Sequence, residues 1–494
     1  MRNLTDIFPV IFNFWFPFAA TIPTLLSILP ISTPPPLPIL PIPNHRQLKW
    51  QQESMSIFFH FGPNTFTDSE WGTGRADPSV FNPDRLNTSQ WIRTVKEAGF
   101  NKVIITAKHH DGFCLWPSEY TNYSVKSSNW RSGKGDVIKE IATAARESGV
   151  ALGVYLSPWD RHDPRYGSTK EYNEFYLAQM RELLTNYGEV DEVFLDGAKG
   201  KGEKNMDYYF DSWFNLIHQL QPSAAIFSDI GPDTRWIGDE QGVSGSTCWS
   251  LFNSSDAKIG ATDPQYLKIG DQYGHDWVPP ECDVSIRPGW FWHASESPKS
   301  ASDLLKVYYQ SVGRNCKLLL NVPPNSSGLV PEDDAEVLKQ FYSLKESIFS
   351  RNLGGEAVVT AGSVRGRVGN GQFAPGNVIL DGIGSYWAPE DEGEWSLTVK
   401  FDRRMKVNVV KIQEPIQMGQ RIMRFRVEAV DGEGVWTEVT KGTTVGFVRV
   451  VGFSMVETLE MKFVVEEARA VPLVSFFGLY FDPFTNFNPM DLFM

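Results

Sequence analysis

The chain of 494 residues is 41% hydrophobic, enough for a sizeable core and for more than one domain, although a single α/β barrel also exceeds the usual domain size. Its 46 Lys and Arg stand against 59 Asp and Glu, so the net charge is −13, which argues against nucleic acid or another polyanion as a partner. Aromatic residues reach 13%, with 16 Trp, a content that suits either a large core or packing against the C–H faces of sugars.

The N-terminus has a charged start at Arg2 and then an apolar run over 7–29, the pattern of a secretory signal peptide, expected to extend over 1–32. A membrane anchor is the alternative, but Pro9, Asn13, Pro17 and Pro23 interrupt the run. Residues 33–46 are Pro-rich and predict an extended linker. N-x-S/T sequons begin at Asn3, Asn87, Asn122, Asn253 and Asn325. With the signal-like start they predict a glycosylated, secreted protein, extracellular and free of the membrane once the signal is removed. No later segment is apolar enough to span a bilayer. Cys114, Cys248, Cys282 and Cys316 lack the CxxC spacing of a zinc or redox motif, and Cys248 with Cys282 is a candidate disulfide.

Residues 47–352 predict repeated β/α alternation. Short apolar runs at 55–61, 102–107, 150–156, 190–195, 224–227 and 317–320 lack polar alternation, as strands do when helices cover them on both faces. Helical periodicity predicts helices capped by Ser89, by Asp136 and by Ser168 with Glu171 as a capping box. Further helices are expected at 207–220, 300–313 and 331–349, whereas 243–300 is Gly- and Pro-rich and less regular. The expected fold is a (β/α)8-type barrel of the α/β class. An open doubly wound sheet is the rival, but no GxGxxG turn follows the first strand. Residues 353–486 lose the helical pattern and show strand-like runs at 395–401, 407–412, 423–430, 445–451 and 458–465. These predict a C-terminal antiparallel β-sandwich, with 487–494 as a tail.

Catalytic groups of such a barrel lie at the C-terminal ends of its strands. Those ends carry His60, then Lys108-His109-His110-Asp111-Gly112, then Tyr155, Ser157, Trp159 and Asp160. Asp196-Gly197 follows, then Ser228-Asp229, leading into Arg235-Trp236-Ile237-Gly238-Asp239-Glu240. Each hydroxyl of a polyhydroxylated substrate both donates and accepts, and imidazole and carboxylate groups complement it. Asp196, directly after the apolar 193–195, enters a cleft or else merely turns the chain. Adjacent residues at a strand end point in opposite directions, so His109 and His110 suit hydroxyl binding or a structural role better than one shared metal ion.

Taken together, these segments resemble the α-L-fucosidases of glycoside hydrolase family 29. The resemblance rests on His60-Phe61-Gly62, Glu70-Trp71, Lys108-His109-His110-Asp111-Gly112-Phe113, Val154-Tyr155 and Phe194-Leu195-Asp196-Gly197. It continues through residues 228–233, the RWxGxE of 235–240 and residues 318–324. It spans about residues 45–350 and, more loosely, the C-terminal region, which is similar to galactose-binding modules. The resemblance implies a retaining exo-α-L-fucosidase with Asp196 as nucleophile and Glu240 as acid/base, Asp239 being the weaker candidate. His60, Glu70, Trp71, His109, His110 and Tyr155 stand where the family binds fucose. Trp249, Glu281 and Trp290 are expected to shape the pocket and a branch-sugar site. RWxGxE resembles the plant secreted branch that acts on 1,3- and 1,4-linked fucose, which suits an apoplastic enzyme acting on fucosylated oligosaccharides or glycoproteins. Neither a metal nor an organic cofactor is implied, and the oligomeric state stays open. One departure is Phe194, where family members often carry Trp. The alternative is a noncatalytic protein that binds fucosyl glycans through the same pocket, against which the intact carboxylate pair speaks.

Overall fold

The run KVIITA forms a strand because β-branched side chains favour extended backbone and pack well on a pleated surface, and all of Lys102–Lys108 is buried. It belongs to a computed structural model that describes residues 33–366, 369 and 371–487. The expected signal segment 1–32, the Asn3 sequon and residues 488–494 of the expected tail lie outside the described residues.

Eight parallel strands make the first sheet: β1 Met55–Phe59, β2 Lys102–Lys108, β3 Ala151–Leu156, β4 Glu192–Phe194, β5 Ala225–Phe227, β6 Arg235–Trp236, β7 Pro280–Ser285 and β8 Lys317–Asn321. They follow the order β5-β4-β3-β2-β1-β8-β7-β6. A single parallel bridge, Phe227 to Thr234, joins the two edges, so the sheet is a nearly closed barrel. Helices Thr88–Glu97, Val137–Ser148, Thr169–Asn186 and Phe210–Leu220 follow the first four strands. Pro264–Ile269, Ala301–Gln310 and Glu332–Phe349 follow β6, β7 and β8. Residues 228–234 pass directly from β5 to β6.

Local details differ from expectation in instructive ways. Asn87, not Ser89, caps the first barrel helix, its side chain accepting from Gln90 N. Asp136 caps as expected, accepting from Lys139 N. Ser168 sits at its N-cap without a side-chain cap bond. In the Gly- and Pro-rich stretch lie a short ribbon, Leu251–Phe252 with Asp276–Trp277, and the fully buried strand β7. The disulfide pairs Cys282 with Cys316, not with Cys248. Cys282 lies on β7 and Cys316 immediately precedes the neighbouring β8, and their Cα atoms are 5.9 Å apart, inside bridging range.

Alternate strand residues face the barrel interior and stack in layers. The bottom layer is charged: Lys102 lies 2.6 Å from Glu53, 2.6 Å from Asp191 and 3.2 Å from Glu192, while Lys317 lies 3.0 Å from Glu53. Above it Phe58, Ile104, Tyr155, Phe194, Phe227 and Leu319 form an apolar plug. The polar strand ends form the mouth.

The C-terminal region is antiparallel and hydrogen-bonded as one sheet: β9 Val358–Ala361, β10 Ser396–Gln413, β11 Ile422–Val430, β12 Trp436–Gly442, β13 Arg449–Ala468 and β14 Phe476–Tyr480. β10 and β13 are single long strands where four short ones were expected. Their pairing shifts register between Lys400 and Met405 and again between Val407 and Val409. Such bulges bend a strand, and Leu397 and Val399 reach the same core as Val410 and Ile412.

Removing one partner of a buried charge group leaves the others uncompensated. Lys102→Met should therefore lower unfolding stability by about 3 kcal/mol or more, measured by denaturant titration. Activity of the folded fraction should persist, because the mouth lies at the other end of the barrel.

Candidate active site

His60 follows β1. Its Nδ1–H donates to Asn321 Oδ1 at 2.9 Å, and Asn321 Nδ2 donates to Ser285 Oγ at 2.9 Å and to Trp290 O at 2.8 Å. That leaves Nε2 of His60 as an acceptor. Burial lowers the pKa of His60 to about 3, so the ring is neutral. His110 follows the same logic after β2. Ser157 Oγ donates to Trp159 O at 2.6 Å, so its lone pair accepts His110 Nδ1–H at 2.7 Å. Burial lowers His110 to about 3 as well. Its Nε2, 3.7 Å from Asp196 Oδ2, therefore presents a lone pair and not a positive charge. His109 is held well below its ordinary pKa by burial, with its ring 4.1 Å from His110 and 5.4 Å from His60. The turn that aims these rings needs Gly112 at φ +83°, where a Cβ would come within 2.4 Å of Asp160 Oδ1.

Asp196 stands just past β4. Its Oδ1 accepts Ala198 N–H at 2.7 Å and its Oδ2 accepts Tyr155 O–H at 3.0 Å. Burial raises its pKa, and these two donors oppose the rise. Behind it Asp229 Oδ2 accepts Gly260 N–H at 2.8 Å, and Asp229 sits so close that a Cβ on Gly197 would meet its oxygens at 2.3 Å. Burial, then the Asp196 charge, pushes Asp229 up to about 6.

Glu240 lies on the segment after β6, exposed at the rim. One oxygen accepts Trp290 Nε1–H at 3.2 Å. Its pKa is raised by lost hydration and by the Asp196, Glu70 and Asp239 charges, with the Trp290 bond opposing. Because the side chain meets solvent, water damps this shift. Asp239 is already occupied: Lys268 Nζ lies 2.7 Å from Oδ2, and Gln241 N donates to Oδ1 at 2.9 Å. Asp283, on β7, faces the same space. Trp236 Nε1 donates to it at 2.9 Å, and burial next to Glu240 keeps its carboxyl well above the usual range.

Aromatic rings complete the wall. Trp290 packs 5.1 Å from His60, Phe291 lies 4.9 Å from His109, and the exposed Trp71 stands edge-on to His110 at 6.2 Å and to Trp159 at 5.4 Å. Glu70 accepts the main-chain N–H of Trp290 at 2.9 Å. The structure thus gathers Asp196, Glu240, His60, Glu70, Trp71, His109, His110, Tyr155 and Trp290 at one mouth.

Two expected pocket residues lie elsewhere. Trp249 is buried with Leu251, Trp277 and Ile416, between barrel and C-terminal sheet. Glu281, second residue of β7, pairs in register with Lys317, so it belongs to the charged bottom layer, with the apolar plug between it and the mouth. Sequence reasoning gave no role to Asp283, Phe291 or His293, and its signal for them was only their place on or after an unrecognised strand. Of the described sequons, Asn87 and Asn122 are exposed and Asn325 is half-buried. Asn253 Nδ2 already donates to Asp271 Oδ2 at 2.9 Å, a contact that glycan attachment would displace.

Residues 42–343 match the α-L-fucosidase family. The chain belongs to the α-L-fucosidase family of glycoside hydrolases. Alpha-L-fucosidase 1 of Arabidopsis thaliana is 61% identical over 94% of this chain and 93% of its own length. A family 29 fucosidase of Ruminococcus gnavus, solved in complex with fucose, superposes with a TM-score of 0.85 at 35% identity, covering 91% of this chain and 97% of that one. A family 29 member from a rumen bacterium superposes with a TM-score of 0.80 at 37% identity, covering 93% of this chain and 80% of that one.

Tyr155→Phe in this fucosidase removes one of the two donors that favour the Asp196 carboxylate. A hydrogen bond to a charged group contributes about 1.5–3 kcal/mol, so kcat should fall about 10- to 100-fold. The donor lowers the Asp196 pKa, so its loss raises that pKa further. Activity lost as pH falls through the Asp196 pKa should then be lost at higher pH. The acidic limb of the kcat/KM profile checks this.

Proposed function

We propose that this fucosidase is a retaining exo-enzyme that releases terminal α-1,3/1,4-linked L-fucose from branched, Lewis-type glycans by double displacement. The observation that carries the reading is the contrast between two carboxylates at one mouth. Burial raises both, but Asp196 has both oxygens engaged by donors that favour its anion, whereas Glu240 accepts one indole N–H and keeps its other oxygen open. Asp196 attacks the anomeric carbon while Glu240 gives its proton to the leaving oxygen, and the glycosidic bond breaks. Glu240 then takes a proton from water, which displaces Asp196 from the fucosyl ester. Retaining pairs of this kind stand about 5–5.5 Å apart.

The neutral rings of His60 and His110 supply acceptors for sugar hydroxyls, and Trp71 and Phe291 supply faces for the apolar side of fucose. The linkage reading rests on RWxGxE and is supported by the indole of Trp290, which bonds Glu240 at the rim. Secretion is supported by the signal-like start, by the exposed sequons Asn87 and Asn122, and by the Cys282–Cys316 bridge, which suits an oxidising compartment.

Purified protein should release fucose from a trisaccharide carrying a 1,4-linked branch and not from a 1,2-linked one. In methanol–water mixtures the first-formed methyl fucoside should be the α-anomer by NMR, and Asp196→Ala should lose several powers of ten in kcat. A β-anomer would contradict retention, and equal cleavage of both trisaccharides would remove the linkage assignment. Binding of the branched trisaccharide without any release would favour a noncatalytic glycan-binding protein.

A further inference from the structure

The loop after β7 carries Trp290 over the mouth, and its main chain hangs from Glu70. Trp290 N donates to Glu70 Oε2 at 2.9 Å and Phe291 N to Oε1 at 3.3 Å. On the far side of Glu70 stands His293. Its Nε2 bonds Glu70 Oε1 at 2.6 Å and its Nδ1 bonds Asp68 Oδ1 at 2.5 Å. Ionised carboxylates only accept, so the ring donates from both nitrogens and carries a positive charge. Burial opposes that charge, but the bonds to Glu70 and Asp68 and the nearby Glu70 and Glu296 carboxylates hold the pKa above its ordinary value. Gly289 is shaped to this contact. A Cβ there would lie 2.6 Å from Glu70 Oε1 and 2.8 Å from the His293 ring. The same glycine is pinned through its N–H to Glu296 Oε2 at 3.0 Å and through its carbonyl to Ser285 Oγ at 2.7 Å.

We propose that His293 is a positioning residue for the acid/base: wedged between Asp68 and Glu70, it fixes the carboxylate from which the Trp290 main chain hangs, and thereby aims the indole N–H that bonds Glu240. The inference rests on Glu240 as acid/base. Exposed ion pairs alone contribute little, but this one sits in a chain of four hydrogen bonds that ends on Glu240. Without His293, Glu70 keeps only its two main-chain donors and turns more freely, and the indole loses its aim. Other carboxylates facing Glu240, namely Asp196, Glu70, Asp239 and Asp283, remain in place in the variants.

The test compares phenyl fucoside, whose leaving group needs a proton, with 2,4-dinitrophenyl fucoside, whose leaving group does not. General acid catalysis contributes about 10²–10⁴-fold, so partial misplacement in His293→Gln should lower kcat/KM on phenyl fucoside about tenfold. The loss on the dinitrophenyl substrate should stay under about twofold. The Trp290 bond lowers the Glu240 pKa, so its loss should move the basic limb of the pH profile to higher pH. Adding Trp290→Phe to His293→Gln should cost little more than Trp290→Phe alone. Asp68→Asn is the second variant. That side chain is 82% exposed, and asparagine tolerates its left-handed φ of 52°, so folding is safe and a smaller effect in the same direction is expected. Equal losses on both aryl fucosides, or wild-type values in both variants, would overturn the proposal. Glu240→Gln runs alongside. A loss there that ignores the leaving group removes the acid/base assignment and this inference with it, whereas a normal Glu240→Gln response with an indifferent His293→Gln removes the clamp alone.

Discussion

The apolar layer across the middle of the barrel is the constraint on which the site depends. Phe58, Ile104, Tyr155, Phe194, Phe227 and Leu319 separate two polar regions that could not share one interior. Below them, lysines and carboxylates compensate one another in a buried cluster. Above them, the strand ends present neutral imidazoles and carboxyls to the mouth. Tyr155 belongs to both regions. Its ring stacks on Phe194 at 5.5 Å within the plug, and its hydroxyl bonds the Asp196 carboxylate. Phe194 stacks on Phe227 at 3.8 Å, so this side chain is part of the floor.

Denying water to the mouth explains the protonation pattern. Three histidines lose their charge to burial, which turns them into oriented acceptors suited to hydroxyls. Four carboxyls, Asp196, Asp229, Glu240 and Asp283, are raised together by burial, each opposed by local donors. Asp196 has two donors that oppose its rise, whereas Asp229, also held by main-chain N–H groups, is pushed up to about 6 beside it. Asp283 has one indole and a buried seat, which favours the neutral acid. Like charges crowded in one cleft cannot all ionise together.

The legible part of the molecule was the part where short apolar runs announce strands. KVIITA, the run before Asp196 and the KLLL of β8 located three strands and therefore three strand ends. The motif residues at those ends do meet. Legibility failed where the elements are short or irregular. β6 has two residues, and β7 hides in a Pro-rich stretch, so its direction was not readable. Had it been, Glu281 at its start would have pointed to the bottom of the barrel and Asp283 to the mouth. Trp249 shows the other limit. Aromatic character marks burial or binding alike, and only the C-terminal sheet packed against it decides for burial. In that sheet, the charged run 402–404 reads as a turn between two strands, yet it is a bulge in one.

The most direct test of the account is covalent trapping with 2-deoxy-2-fluoro-fucosyl fluoride, whose 2-fluorine slows both displacements while its good leaving group keeps the first one fast, so that the ester accumulates. Mass spectrometry of the digested protein should place one fluorofucosyl ester on Asp196. A label on Asp229, its raised neighbour, or stoichiometric turnover with no trapped ester from an active preparation, would contradict the assignment of the nucleophile.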